Sequence, residues 1–187
     1  LGNIGPEYNH TRHNIGFDVI DAIAESLGVQ FTLAKSAMIA EGRIKNKEIV
    51  LIKPTTFMNL SGKAVQHYTT LYKTPLENII VVTDDLALET GTIRIRTKCS
   101  HGGHNGLRNI EETMLTQQYP RLRFGIGNNF NKAKQIDFVL GKWNSDEQIL
   151  VNEKIIKAKE AIQMFVLEGA GRAMTFYNGW VYFRRAF

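Results

Sequence analysis

"NIIVVTDD", residues 78–85, is an unbroken apolar run that ends in two carboxylates. A strand with one wet face alternates apolar and polar residues; a strand covered on both faces does not, so this run reads as a buried parallel strand. Two further runs read as strands. "TIRIRTK" (92–98) alternates strictly, with isoleucines on one side and basic residues on the other, and "RLRFGIG" (121–127) aligns Leu122, Phe124 and Ile126. "EIVLIKP" (48–54) is a further strand, stopped by Pro54. Helices separate these runs. "FDVIDAIAESL" (17–27) puts Phe17, Ile20, Ile23, Ala24 and Leu27 on one face, and Gly28 stands where a helix C-terminal glycine belongs. "SGKAVQHYTTLY" (61–72) predicts a second helix. The last long helix is expected to begin near Ser145, which has capping-box spacing to Gln148, and to end around Gly169.

Strands alternating with helices predict an α/β fold: a single-domain three-layer sandwich over residues 1–187, with a mixed, mostly parallel twisted sheet flanked by helices. The chain opens directly in the loop-like "GNIGP", and a sheet of this kind feeds such a loop from a strand, so a first strand is expected before residue 1. The tail "WVYFRRAF" (180–187) is apolar and basic and takes no assignment from pattern alone.

Hydrophobic residues at 43% and charged residues at 22% match ordinary globular usage and exclude disordered or collagen-like classes. No apolar run has the length of a bilayer span, and the start lacks the features of a signal peptide. The single cysteine, Cys99, excludes an internal disulfide and fits a reducing compartment, so a cytoplasmic protein is expected. The net charge of +5 points weakly to phosphates, and the charge is clustered: Arg94, Arg96 and Lys98, then Arg108, Arg121, Arg123, Lys132 and Lys134.

Polar residues gather at the element boundaries: Asn3, His13-Asn14, Asn59, Asp84-Asp85 and "HGGHNG" (101–106). Asp84 falls at the carboxyl end of the apolar strand, where ligands bind in open α/β sheets. A histidine is the natural general base near neutral pH, and a carboxylate on its far nitrogen fixes the tautomer and stabilises the imidazolium. His13 with Asp84 fits that pairing. No Gly-x-Ser-x-Gly elbow or Cys-His motif supplies a nucleophile, so the chemistry expected is activation of water. Asparagines suit such a site because they donate and accept without adding charge.

Five blocks stand in order with compatible spacing: "GNIGPEYNHTRHNIGF", "PTTFMNLSGKAV", "VVTDDLAL", "GGHNGL" and "RLRFGIGN". Together they closely resemble the bacterial peptidyl-tRNA hydrolase family. The resemblance implies hydrolysis of the ester joining a peptide, or an N-blocked aminoacyl group, to the 3′-terminal ribose of tRNA. This recycles tRNA from prematurely released chains. His13 matches the family's catalytic base and Asp84 the carboxylate that orients it. Asn3 matches the asparagine linked to discrimination between blocked and free aminoacyl groups. Asn59 and Asn105 match substrate-contacting asparagines, and Tyr8 and Phe57 match aromatic positions near the substrate's end. Arg96 and Arg123 fall where the family places a clamp for the tRNA 5′ phosphate, and His104 takes a supporting role. The sequence departs from the family at Ala87, where a second acidic residue is usual, and at Lys98-Cys99-Ser100, which replaces a glycine-rich approach.

The expected enzyme needs no metal and no cofactor, acts as a monomer without an obligate protein partner, and does not engage membranes. Two rivals remain at this point. One is an RNA-binding relative of the same fold without turnover. The other is a metal-dependent hydrolase in which His101 and His104 join His13 and Asp84 as ligands.

Overall fold

The computed structural model describes residues 1–179; the tail 180–187 lies outside the described residues. Helix α1 (Ile15–Leu27) ends as its sequence predicts, on Gly28 in the left-handed conformation, whose N–H reaches back to the Ala24 and Glu25 carbonyls. Strands β1 (Thr32–Ala34), β2 (Ala37–Ile44) and β3 (Lys47–Pro54) follow as an antiparallel meander. Helix α2 (Ser61–Leu71) leads to β4 (Val81–Asp85), the strand of the apolar run. Then come β5 (Ile93–Arg96), α3 (Asn105–Met114), β6 (Arg121–Gly125), the short α4 (Gln135–Leu140) and the long α5 (Ser145–Tyr177).

The second sheet has the order β4-β6-β5. β4 runs parallel to β6, with Asp84 beside Phe124, and β5 runs antiparallel to β6, with Arg94 opposite Arg123. The arrangement is α/β with mixed sheets and flanking helices, as expected, but its balance differs from a mostly parallel sheet. Among the described strands only β4–β6 pair in parallel. The reason lies in the connections: β1–β2 and β2–β3 are joined by two residues each, a length that permits only antiparallel pairing.

Two cores cover the two faces of the β4-β6-β5 sheet. Val82, Ile93, Ile95, Leu122 and Phe124 pack with Ile15, Val19 and Ile23 of α1 and Val151, Ala158 and Ile162 of α5. Val81 packs on the other face with Leu107 and Ile110 of α3, Met58 and Tyr119. Helix α5 begins at Ser145, as its sequence suggests, but with a different cap. Asn144, not Ser145, is the cap, and Glu147 completes the reciprocal box. The helix breaks at Gly169, with φ 83° and ψ 171°, the position expected for its end, and resumes to Tyr177. Just beyond, the Asn178 side chain accepts from Ile95 N–H (2.6 Å) and donates to Ile95 C=O (3.0 Å), a substitute for a neighbouring strand on the β5 edge.

Candidate active site

The site is built where β4 ends between the N-termini of α1 and α3. Side chains alternate along β4, so Asp84 shares the face of Val82 and lies toward α1, while Asp85 shares the face of Val81 and lies toward α3. Asp84 is buried. A tight turn, Arg12–Asn14, leads into α1 and puts His13 Nδ1 3.0 Å from Asp84 Oδ1. From the other side His104 Nε2 comes to 2.9 Å of the same oxygen. The two rings lie 4.9 Å apart at 43°.

The hydrogen bonds settle the protons. His104 is the N-cap of α3, and its Nδ1 accepts from the backbone N–H of Gly106 (3.1 Å) and Leu107 (3.3 Å). A nitrogen that accepts carries no hydrogen, so His104 Nε2 is the N–H and donates to Asp84. Asp84 as a carboxylate only accepts, so His13 Nδ1 also donates to it. In neutral His13 this leaves the Nε2 lone pair free to take a proton. Burial is the largest influence on Asp84 and pushes its pKa up, but the two imidazoles that face it, His104 and then His13, together hold it well below the usual carboxylate range.

The turn carrying His13 is braced on both sides. Asn14 stands at the N-cap of α1 but does not cap it; its side chain clamps Asn3, accepting from Asn3 N–H and donating to Asn3 C=O, both at 2.8 Å. Arg12, buried, donates to Lys142 C=O (2.6 Å) and Glu147 Oε2 (2.7 Å), with its guanidinium over the rings of Phe138 and Trp143.

Three other expected residues converge on this end of the sheet. Asn59 is exposed in the turn Met58–Leu60, which packs on α3 through Met58, and Asn105 is exposed at the first residue of α3. Asn3 is half-buried. None of the three side-chain amides has a hydrogen-bond partner among the described residues, so all are open to a ligand. Phe57 is 77% exposed, too exposed to be core, and Tyr8 is half-buried in the loop before His13. A cavity of about 990 Å³ between β3 and β4 holds none of these side chains.

Arg96 and Arg123 are not part of this cluster. The β5–β6 register puts Arg94, Arg96, Arg121 and Arg123 on one face of the sheet, the α3 side, away from Asp84. Arg121 leaves the basic surface suggested by sequence. It is fully buried, paired with Glu111 at 3.2 Å and stacked on Tyr119, and it donates to Ser100 C=O. Arg123 donates through Nε to Asp85. The direct contacts of His104 and Asp85 and the clamp of Asn14 on Asn3 went unread in sequence. Only adjacency to matched residues signalled them.

His13, Asp84 and His104 bring ligand-type atoms within 4.8 Å of one another. Their protonation fits a proton relay better than a cation site, because His104 Nε2 would have to lose its proton to bind a metal. His101 stands apart from the trio, its Nδ1 accepting from Gly103 N–H.

The family model described as Peptidyl-tRNA hydrolase matches residues 1–184. A peptidyl-tRNA hydrolase from Cytophaga hutchinsonii is 51% identical over 178 residues, covering 95% of each chain. Its counterpart from Porphyromonas gingivalis is 49% identical, covering 95% of this chain and 96% of its own. A crystal structure of peptidyl-tRNA hydrolase from Acinetobacter baumannii superposes with a TM-score of 0.90 at 34% identity, over 96% of this chain and 92% of that one.

Proposed function

The chain belongs to the peptidyl-tRNA hydrolase family, and we infer that it hydrolyses the ester between the peptide and the 3′-terminal ribose of tRNA, returning free tRNA to translation. The observation that carries the mechanism is the His13–Asp84 pair with its second imidazole, His104. Water attacks the acyl carbonyl while His13 Nε2 takes its proton, and the imidazolium is stabilised by Asp84 through Nδ1. Collapse of the tetrahedral intermediate breaks the ester C–O bond, and the imidazolium returns the proton to the departing ribose oxygen. Asn3, Asn59 and Asn105, whose amides have no partner among the described residues, hold the peptide end and give a donor to the developing oxyanion. Tyr8 and Phe57 offer aromatic surface to the substrate's end. Arg96 and Arg123, on the α3 side, take the 5′ phosphate of the acceptor stem. The proposed enzyme works in the cytoplasm as a metal-independent monomer; no helix among the described residues is long and apolar enough to cross a membrane. The alternative of an RNA-binding relative without turnover is not favoured, because the proton-transfer pair is assembled.

The test is release of an N-acetylated amino acid from acylated tRNA with a chelator present. Release persists in the chelator, and His13→Ala lowers it by about 10²–10⁴-fold with little change in tRNA affinity. A fully active His13→Ala protein ends this mechanism, and loss in chelator with rescue by added metal replaces it with a metal-dependent one.

A further inference from the structure

The adjacent carboxylates of β4 face opposite sides of the sheet, and only Asp84 belongs to the proton-transfer site. Asp85 is fixed at both carboxylate oxygens and at its carbonyl. Its Oδ2 accepts from Arg123 Nε, its Oδ1 accepts from Ala87 N–H at 2.8 Å, and its C=O accepts from Ile126 N–H at 3.0 Å. Arg123 also stands directly opposite Arg94 in the β5–β6 ladder. Like charges so placed repel, and Asp85 supplies the countercharge. An arginine side chain has many rotamers to lose, so a free one is a poor anion receptor until it is held. Arg123 is held at Nε, its side chain only 25% exposed, and its two Nη groups have no hydrogen-bond partner among the described residues. That leaves a forked pair of donors of the geometry phosphate takes.

We propose that Asp85 is a positioning residue for phosphate recognition, holding Arg123 by its Nε so that both Nη groups remain for the 5′-terminal phosphate of the tRNA. This rests on the reading of Arg123 as a phosphate contact. It also means that one strand end carries the base-orienting carboxylate on one face and the phosphate-orienting carboxylate on the other. The spacing between ester and 5′ phosphate is thereby tied to two consecutive residues.

The experiment compares kcat/KM on N-acetyl-aminoacyl-tRNA with and without its 5′ phosphate. The unmutated protein prefers the phosphorylated form by about tenfold, the worth of one charge-assisted contact. Arg123→Ala lowers that ratio severalfold, Arg96 retaining the remainder. Asp85→Ala reduces it to the same level, and Asp85→Glu, which keeps the carboxylate and its charge, restores most of it. Asp85→Ala that weakens both substrates alike and keeps the ratio is a merely structural defect, and overturns the proposal while leaving Arg123 as a phosphate contact. Failure of Asp85→Glu to restore the preference overturns it too. If Arg123→Ala keeps the native ratio, the underlying phosphate reading fails, and the role of Asp85 with it.

Discussion

A histidine at a helix N-cap ordinarily contributes only to the helix, yet His104 uses both ring nitrogens. Nδ1 satisfies two amides of α3, and the tautomer this imposes obliges Nε2 to donate to Asp84. Substitution separates the two duties. Asparagine is among the best N-cap residues but, when bent back to cap, does not reach Asp84. His104→Asn therefore keeps the unfolding midpoint near native and loses about tenfold in kcat, while His104→Ala loses the rate and also about 1 kcal/mol of stability. Thermal unfolding beside steady-state kinetics reads both, and full kcat in the Asn variant would reduce His104 to a cap. The same network sets the sign of the pH dependence at Asp84. Its folded pKa lies below the ordinary value of 3.8. Its contribution to stability is complete above that value and is lost only as pH falls through the lower folded one.

At the scale of elements, His13 reaches Asp84 because α1 lies unusually close to β4. A Cβ added at Gly16 would lie 2.6 Å from Val82 C=O and 2.5 Å from Leu1 C=O, both backbone atoms with nowhere to go. Gly16→Ala pushes the helix off the strand, with an expected loss of about 1–3 kcal/mol in denaturant unfolding and a parallel fall in kcat. An unchanged midpoint would mean that α1 sits less closely on β4. The elements with strong local signals were legible: α1 with its glycine stop, β4 as a bare apolar run, β5 by strict alternation. Strand β2 was not. Its buried residues Ala37, Ala40 and Ile44 are spaced three and four apart, the spacing of a helix face, because packing on a twisted sheet interrupts the period of two. The start of α5 was legible but its cap was not, since Asn144 and Ser145 both suit a cap and only tertiary contact chooses. Arg12 binding Glu147 fixes the choice at Asn144.

Across the whole molecule, charge that looks like one cluster in sequence divides by burial. The alternation of "TIRIRTK" correctly put Arg94 and Arg96 on one side of β5, but composition gave no sign that Arg121, on the same face, is enclosed. A buried guanidinium with Glu111 and two backbone carbonyls is part of the fold, whereas half-buried Arg96, bonded among the described residues only to the Ile95 carbonyl, remains available to a polyanion. The two arginines should fail in different ways. Arg96→Ala weakens tRNA binding, lowers the slope of log K against log salt by about 1, and leaves the unfolding midpoint near native, because one phosphate contact and its released counterion are lost. Arg121→Ala strips the partner from Glu111 inside the protein and costs about 3–5 kcal/mol of stability. Binding titrations at several salt concentrations, set beside denaturant unfolding, separate the two. A salt slope unchanged in Arg96→Ala would remove this arginine from the tRNA contact and leave the positive charge on the α3 side to Arg94 and Arg123.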